Sequence, residues 1–166
     1  MTDFDGLYRR HAPDVFRFAL YLSGNRSDAE DITSETFVRA WTSSGTIRTA
    51  TVKAFLFTIA RHLHLKGLRR TSRLVPIPET LPDPGAGPHA RAERDSELAA
   101  ALRALQRLPE IDRAALLMRA ADDMAYDEIA RALGLSLASV KVRIHRARLA
   151  LGRMREAERT GGRETT

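Results

Sequence analysis

Six side chains near the carboxyl end of the chain have the chemistry needed to contact DNA. When residues 137–151 are placed on a helix, one face and its flanks carry Ser139, Lys141, Val142, Arg143, His145 and Arg146. Small, polar and cationic side chains that project from a helix can enter the major groove and meet base edges and phosphates. The pattern therefore predicts a DNA-reading helix. The alternative is an ordinary pair of helices whose basic face is solvated.

The segment that positions this face, residues 126–151, is predicted to be a helix-turn-helix. Its first helix has an apolar stripe at Ile129, Ala130 and Leu133, and Gly134 can adopt the left-handed conformation that ends a helix. Ser136 is a favourable N-cap for the second helix. The buried side of that second helix consists of apolar residues at spacings of three and four, namely Leu137, Val140, Ile144, Ala147 and Leu151.

Charge is distributed unevenly along the 166 residues, whose net charge is +6. No Asp or Glu occurs in residues 36–78 or in residues 129–155, and both segments are rich in Arg and Lys. Two basic segments separated by an acid-bearing one favour two separate contacts with one polyanion.

Composition also restricts the class of protein. The chain has no cysteine, which excludes disulfides and thiolate metal sites and favours a reducing cytoplasm. No apolar run approaches the ~20 residues of a membrane span, and the first residues lack a signal-peptide core, so we expect a soluble cytoplasmic protein without membrane insertion. His62 and His64 point in different directions on a helix, and no catalytic motif or phosphate loop is present. We therefore expect no enzyme, no metal and no cofactor.

Two helices are predicted before residue 42. The first, residues 4–22, has an apolar stripe but contains Pro13, which predicts a kink or a new helical start. The second, residues 28–41, is expected to be capped by Ser27 or Asp28 and to bury Trp41 with its other apolar residues.

An acidic patch lies on the second of these helices. Asp31 and Glu35 are one turn apart on one face, beside Ser34. On a basic protein such a patch favours a partner with basic residues. The alternative is that these acids only stabilise the helix, because negative charge is favourable near the amino terminus of a helix dipole.

Residues 42–51 are expected to form a loop, and residues 52–70 a third helix with one apolar and one basic side. The basic side carries Lys53, Arg61, His62, His64, Lys66, Arg69 and Arg70. Phe57 lies near the edge of the apolar stripe, and basic side chains interleaved with aromatic ones are typical of single-stranded nucleic-acid binding. The alternative is that Phe55 and Phe57 belong to the core, which is the favoured interpretation for Phe55.

Five of the seven prolines fall in residues 74–90, which are predicted to be a flexible proline-rich linker. Beyond it, helices are expected over residues 91–108 and from Pro109 onward. The fold predicted is all-α, with two small helical domains. Their limits are residues 1–72 and 93–158, joined by a linker at 73–92 and followed by a polar, frayed tail at 159–166.

The order of these parts resembles a sigma factor of bacterial RNA polymerase, of the compact extracytoplasmic-function (ECF) group. DAEDITSETFVRAW resembles the helix that binds core polymerase in this family, and VKAFLFTIARHLHLKGLRR resembles the helix that meets the downstream, minus-ten promoter element. The segment from LQRLPEIDR to RIHRARLAL is similar to the domain that reads the upstream, minus-thirty-five element. The resemblance covers roughly residues 4–155.

This resemblance implies partners and residue roles. Asp31, Ser34 and Glu35 correspond to positions that bind the largest polymerase subunit, although Ser34 replaces the usual glutamine. Upstream DNA is expected to meet Ser136, Ser139, Lys141, Val142, Arg143, His145 and Arg146. Val142 stands at a position where this family frequently has serine, and its apolar side chain is suited to contact the methyl group of a thymine. Downstream DNA is expected to meet Lys53, Phe57, Arg61, His62, Lys66, Arg69 and Arg70, where His62 and Lys66 replace an asparagine and an acid.

The function implied is promoter-specific initiation with RNA polymerase core, on promoter DNA and under the control of an anti-sigma protein. The alternative is a helix-turn-helix regulator that binds operators without polymerase. Such a regulator would be a dimer, because palindromic operators require two-fold symmetry.

Overall fold

The computed structural model describes residues 4–43, 51–71 and 90–163, and over these ranges the chain forms seven α-helices and no β-strand. The helices are α1 (Phe4–Ser23), α2 (Arg26–Thr42), α3 (Val52–Thr71), α4 (Ala90–Gln106), α5 (Glu110–Ala120), α6 (Tyr126–Leu133) and α7 (Leu137–Arg163). The predicted all-α fold is confirmed. Residues 44–50 of the predicted loop and 73–89 of the predicted linker lie outside the described ranges, whereas residues 90–92 belong to α4 and not to the linker.

Helices α1, α2 and α3 pack around one apolar core in the amino-terminal half. Phe18 of α1 stacks on Phe57 of α3, with ring centroids 4.5 Å apart and planes within 6°. Leu22, Phe37 and Leu56 are buried beside this pair. Each such side chain contributes about 1.5–3 kcal/mol by leaving water, so this core is sufficient to hold three short helices together.

Three local predictions for this half were wrong. Helix α1 continues through Pro13, which is exposed, so the carbonyl that its ring leaves without a donor can be hydrated. The N-cap of α2 is Asn25, whose side chain accepts from the backbone N–H of Asp28, and neither Ser27 nor Asp28 takes that position. Trp41 is 59% exposed, and its ring meets that of Phe4 edge to face at 4.8 Å between centroids, where Phe4 is itself only partly buried.

The helix-turn-helix is formed by α6 and α7, as predicted. Gly134 has a φ of 66°, and its N–H bonds the carbonyl of Ala130 to end α6. Ser136 caps α7 by accepting from the N–H of Ser139 at 3.1 Å. Val140 and Ile144 turn inward and are fully buried.

Two details of the carboxyl-terminal half differ from expectation. Pro109 is the residue before α5 and not its first helical residue, and it makes no side-chain cap bond. Helix α7 continues to Arg163, so the frayed tail predicted from residue 159 is wrong as far as residue 163. Helix-favouring Arg, Met, Glu and Ala side chains explain the helix from residue 153 to residue 159, but not its continuation through Thr160, Gly161 and Gly162.

The two halves of the molecule pack against each other through α1, α3, α5 and α6. Gln106 of α4 donates to the carbonyls of Tyr21 and Leu22 at the end of α1, at 3.0 and 3.2 Å. Gly24 makes this approach possible, because its φ is 70° and the Gln106 side chain lies 3.0 Å from where a Cβ would be. A Cβ at residue 24 would therefore displace the Gln106 side chain and would also be strained at this φ.

The centre of this contact is the buried guanidinium of Arg113. It donates to the carbonyls of Leu22, Leu105, Gln106 and Leu108, which lie at the end of α1 and at the end of α4 and just beyond it. Carbonyls at helix carboxyl termini have no intrahelical donor and carry the negative end of the dipole, so a cation is favourable there. Burial lowers the pKa of Arg113, and the negative charge of the nearby Glu110 acts in the opposite direction with a smaller effect.

Replacement of this guanidinium is expected to destabilise the whole molecule. Arg113→Met keeps the apolar stem but removes the hydrogen bonds that the guanidinium donates to four carbonyls, and we expect the free energy of unfolding to fall by at least about 3 kcal/mol. The measurement is urea denaturation followed by circular dichroism. Arg107→Met, at an exposed position six residues earlier in the connection between α4 and α5, is the matched control and should cost less than about 0.5 kcal/mol. Equal losses in the two variants would contradict the central role of Arg113.

Candidate nucleic-acid interface

Helix α7 presents the side chains predicted to read upstream DNA on its outer face. Lys141, Val142, His145 and Arg146 are exposed, and Val142 is accessible over 59% of its surface. The opposite side of the helix is anchored by buried apolar residues, so this face is held in a fixed orientation. Ser136 is exposed at the start of the helix, where its hydroxyl already serves as the cap. An apolar side chain among cations suits a groove that offers both methyl groups and acceptors.

Three cations of α7 contact side chains of neighbouring helices. Arg143 donates from Nη1 to Asp112 Oδ1 at 2.9 Å and from Nε to the Ser139 hydroxyl at 3.2 Å. Arg146 lies with Nε 3.5 Å from the other carboxylate oxygen of Asp112. Lys141 lies over the ring of Tyr126, with Nζ 5.7 Å from the centroid. The sequence reasoning did not identify Asp112 or Tyr126, because neither belongs to the helix that they support.

Helix α3 places the side chains predicted to bind downstream DNA in several different environments. Phe57 is completely buried against Phe18, so its assignment to the nucleic-acid surface was wrong and it is a core residue. His62 and Lys66 are exposed. The side chains of Arg69 and Arg70 lie outside the described residues.

Two of the downstream cations face acids of the carboxyl-terminal half. Arg61 donates from Nε and Nη2 to the two carboxylate oxygens of Glu110, at 2.9 and 2.8 Å. Lys53 lies 3.2 Å from Asp122 Oδ1, which also accepts from Arg17 at 3.3 Å. Burial raises the pKa of Asp122, and its hydrogen bond to Lys53 opposes this shift. Lys53 and Arg61 therefore contact carboxylates of the protein itself, although both were predicted to contact downstream DNA.

The predicted acidic patch lines a groove between α2 and α3 with a volume of about 670 Å³. Asp31, Ser34 and Glu35 form its α2 side and are exposed. Glu35 also pairs with Arg39 of the same helix at 3.3 Å. Lys66 lines the opposite side, so this residue borders the acidic groove as well as the basic face of α3.

His64 forms part of the floor of the same groove, although it was expected on the basic side of α3. It is 5% exposed, and within the described part of the chain its buried Nε2 has no hydrogen-bond partner. Burial is the largest cause of its lowered pKa, so the ring is held neutral. Its Cα lies four residues after the buried Ala60, which explains why helical spacing brings it into the core.

Neither a membrane nor a metal is indicated by the described residues. None of the described helices combines the length and apolarity that crossing a membrane requires. The same residues contain no group of three or more His, Asp or Glu side chains arranged around a metal ion.

Two family models match the chain, one in each half. The model of sigma-70 region 2 matches residues 7–74, and that of sigma-70 region 4 matches residues 98–151. The ECF RNA polymerase sigma factor RpoE of Cereibacter sphaeroides is 33% identical over 92% of this chain and 84% of its own length. The chain belongs to the ECF group of the sigma-70 family. The matched regions correspond to the two halves described above.

One further ECF sigma factor and two solved structures are also similar to this chain. SigE of Mycolicibacterium smegmatis is 39% identical over 89% of this chain, which spans 60% of the length of that relative. The solved structure of CnrH in complex with the cytosolic domain of CnrY is 27% identical, covers 93% of this chain and 88% of its own, and has a TM-score of 0.71. RpoE of Bartonella quintana, solved with the anti-sigma factor NepR, shares the fold at a TM-score of 0.75, 24% identity and coverage of 94% and 98%. Family membership disfavours the polymerase-independent regulator.

The buried histidine of this ECF sigma factor is expected to make its stability depend on pH. Because the folded-state pKa of His64 lies below the ordinary 6.5, the unfolded chain binds a proton that the folded chain does not. The free energy of unfolding should thus be fully retained above pH ~6.5 and should decrease as the pH falls below that value. His64→Gln should weaken this dependence in urea denaturation between pH 5 and 8, whereas a curve parallel to the wild type would contradict it. The matched control is His62→Gln, two residues away and exposed.

Proposed function

We propose that this chain is an initiation factor that binds the core of RNA polymerase and directs it to promoters, without catalysis by its own residues. The observation that carries the proposal is the presence in one chain of both sigma-70 regions, each with an exposed surface of suitable charge. Residues 1–72 and 93–158 would act as the two functional units. Since polymerase is its partner, the factor would act in the cytoplasm.

The α2–α3 groove is the proposed contact with core polymerase. Asp31 and Glu35 supply negative charge, and Ser34 between them supplies a neutral hydrogen-bonding group. Their exposure supports the proposal, because an exposed acidic patch attracts a basic partner surface and repels DNA.

The outer face of α7 is the proposed reader of the upstream element. The residues assigned to it are Ser136, Ser139, Lys141, Val142, Arg143, His145 and Arg146. Arginine can donate two hydrogen bonds to a guanine, and valine can contact a thymine methyl, so this face can specify sequence as well as bind phosphate.

The basic side of α3 is the proposed contact with the downstream element, through Lys53, Arg61, His62, Lys66, Arg69 and Arg70. Arg61 and Lys53 are paired with Glu110 and Asp122, so their contact with DNA would require the two halves to separate. Binding to polymerase would supply the free energy for this separation. Each half then binds weakly, and their attachment to one polymerase makes the combined contact strong.

An anti-sigma protein is the proposed regulator. The similar protein CnrH was solved with the cytosolic domain of CnrY, and the sigma factor RpoE of Bartonella quintana with the anti-sigma factor NepR. A protein that covers the acidic groove or holds the two halves together would prevent the polymerase and promoter contacts proposed here.

The polymerase contact is tested by charge reversal in the groove. Asp31→Lys combined with Glu35→Lys should abolish co-purification with core polymerase and run-off transcription from a library of randomised promoters, while circular dichroism stays unchanged. The matched control is Asp5→Lys combined with Glu30→Lys, which makes the same charge change at exposed positions outside the groove. Wild-type recovery of polymerase by the groove variant would show that the interface is elsewhere. Absence of transcription with the wild-type chain would overturn the proposed function itself.

The upstream contact is tested through the methyl groups of Val142. If Val142 meets a thymine methyl, replacing that thymine by deoxyuridine should weaken binding of the wild-type holoenzyme about threefold to fourfold, since one buried methyl is worth about 0.8 kcal/mol. Val142→Ala should already have lost this affinity and should be insensitive to the deoxyuridine. Leu149→Ala, at a similarly exposed position on α7, should keep the full wild-type response. An equal response in the wild type and Val142→Ala would remove Val142 from the reading face.

A further inference from the structure

Asp112 lies in the first turn of α5 and faces two arginines of α7. Its side chain is only 2% exposed. Oδ1 accepts from Arg143 Nη1 at 2.9 Å, and Oδ2 lies 3.5 Å from Arg146 Nε. One buried carboxylate thus contacts two of the residues proposed to meet upstream DNA.

The usual local role of an acid at this place in a helix is unavailable to Asp112. An acid at the third helical position normally accepts from the backbone N–H of the N-cap residue, which closes a capping box. Here the N-cap is Pro109, which has no N–H. The carboxylate is consequently directed across the helix pair to α7, at a sequence distance of 31 residues from Arg143.

We propose that Asp112 is a positioning residue that fixes the arginines of the upstream reading face and so contributes to base selection without touching DNA. This inference rests on the proposed function of α7. It concerns a residue of α5 that lies beneath the reading face and is almost inaccessible to solvent.

The contacts of the two arginines explain how such positioning would work. Arg143 is held at Nη1 by Asp112 and at Nε by Ser139, so the plane of its guanidinium is determined. The guanidinium of Arg146 faces Asp112 through Nε, and 61% of its side chain remains exposed. A guanidinium held by Nε can direct both Nη atoms outward, which is the geometry of a bidentate contact to guanine or phosphate. Holding a long side chain in advance also reduces the entropy lost on binding.

Charge alone predicts the opposite effect of removing Asp112. A carboxylate close to a DNA-binding face repels phosphates, so its neutralisation should strengthen binding to every DNA sequence. Loss of positioning should instead weaken the preferred sequence relative to all others. The two effects differ in sign for specific binding, and Asp112→Asn therefore distinguishes them.

The experiment uses holoenzyme assembled from core polymerase and the full chain, with a promoter library randomised in the upstream element. For Asp112→Asn we expect the preference for the selected base to fall about tenfold at the positions that the arginines contact. Affinity for unrelated duplex DNA should be unchanged or higher. Asp127→Asn, which removes an exposed acid of α6 by the same substitution, is the matched control and should retain the preference.

A second variant tests whether the effect passes through the arginines. In an Arg146→Ala background, adding Asp112→Asn should cause no further loss at the position that Arg146 reads, because no side chain remains there to be positioned. An additional loss of the full size would show that Asp112 acts by another route and would overturn the inference.

Each remaining outcome has a defined meaning. A wild-type holoenzyme without any upstream preference overturns the proposed function, and this inference with it. A wild-type preference that Asp112→Asn retains overturns the inference alone. If Asp112→Asn loses helix content by circular dichroism, Asp112→Glu replaces it, because that variant keeps the charge but displaces the carboxylate by one methylene. A folded Asp112→Glu with unchanged preference likewise overturns the inference.

Discussion

The first turn of α5 must satisfy several charges that the fold removes from water, and the arrangement of the other helices follows from this requirement. Within four residues, Glu110 pairs with α3, Asp112 pairs with α7, and Arg113 donates to carbonyls at the ends of α1 and α4. A buried charge without a partner costs several kcal/mol, roughly as much as a core aromatic contributes. Each of these side chains therefore fixes a neighbouring helix, and α5 becomes the element that joins both halves.

This arrangement gives the same chemical groups two alternative partners. In this structure Arg61 and Lys53 form ion pairs with carboxylates of the carboxyl-terminal half. The same two side chains are proposed to bind downstream DNA. A carboxylate and a phosphate offer a guanidinium similar acceptor oxygens. The face of α7, by contrast, remains open, since its arginines are held from behind by Asp112. The packing of the two halves therefore occupies two side chains of the proposed downstream contact on α3, but it leaves the proposed upstream contact on α7 open.

Local signals predicted the helices and the turn between α6 and α7 correctly. Gly134 and Ser136 act within a few residues of themselves, so their roles can be read from the sequence. The burial of Phe57 and His64 depends on how α3 rotates against α1 and α2, and a periodicity with apolar residues on several sides does not determine that rotation. The role of Asp112 depends on a contact between residues far apart in the chain, for which a single sequence carries no signal.

The two ion pairs of α3 have a mechanical consequence. They lie at Lys53 and Arg61, eight residues and therefore about 12 Å apart along the helix, and their acids lie at the first residue of α5 and two residues beyond its end. Rotation about an axis across α3 through one pair would separate the other, so only rotation about the line that joins the two pairs, roughly along α3, leaves both intact. Full separation of the two halves must therefore break both ion pairs, whereas hinge opening along α3 would keep the amino-terminal half attached to α5 and to the segment after it.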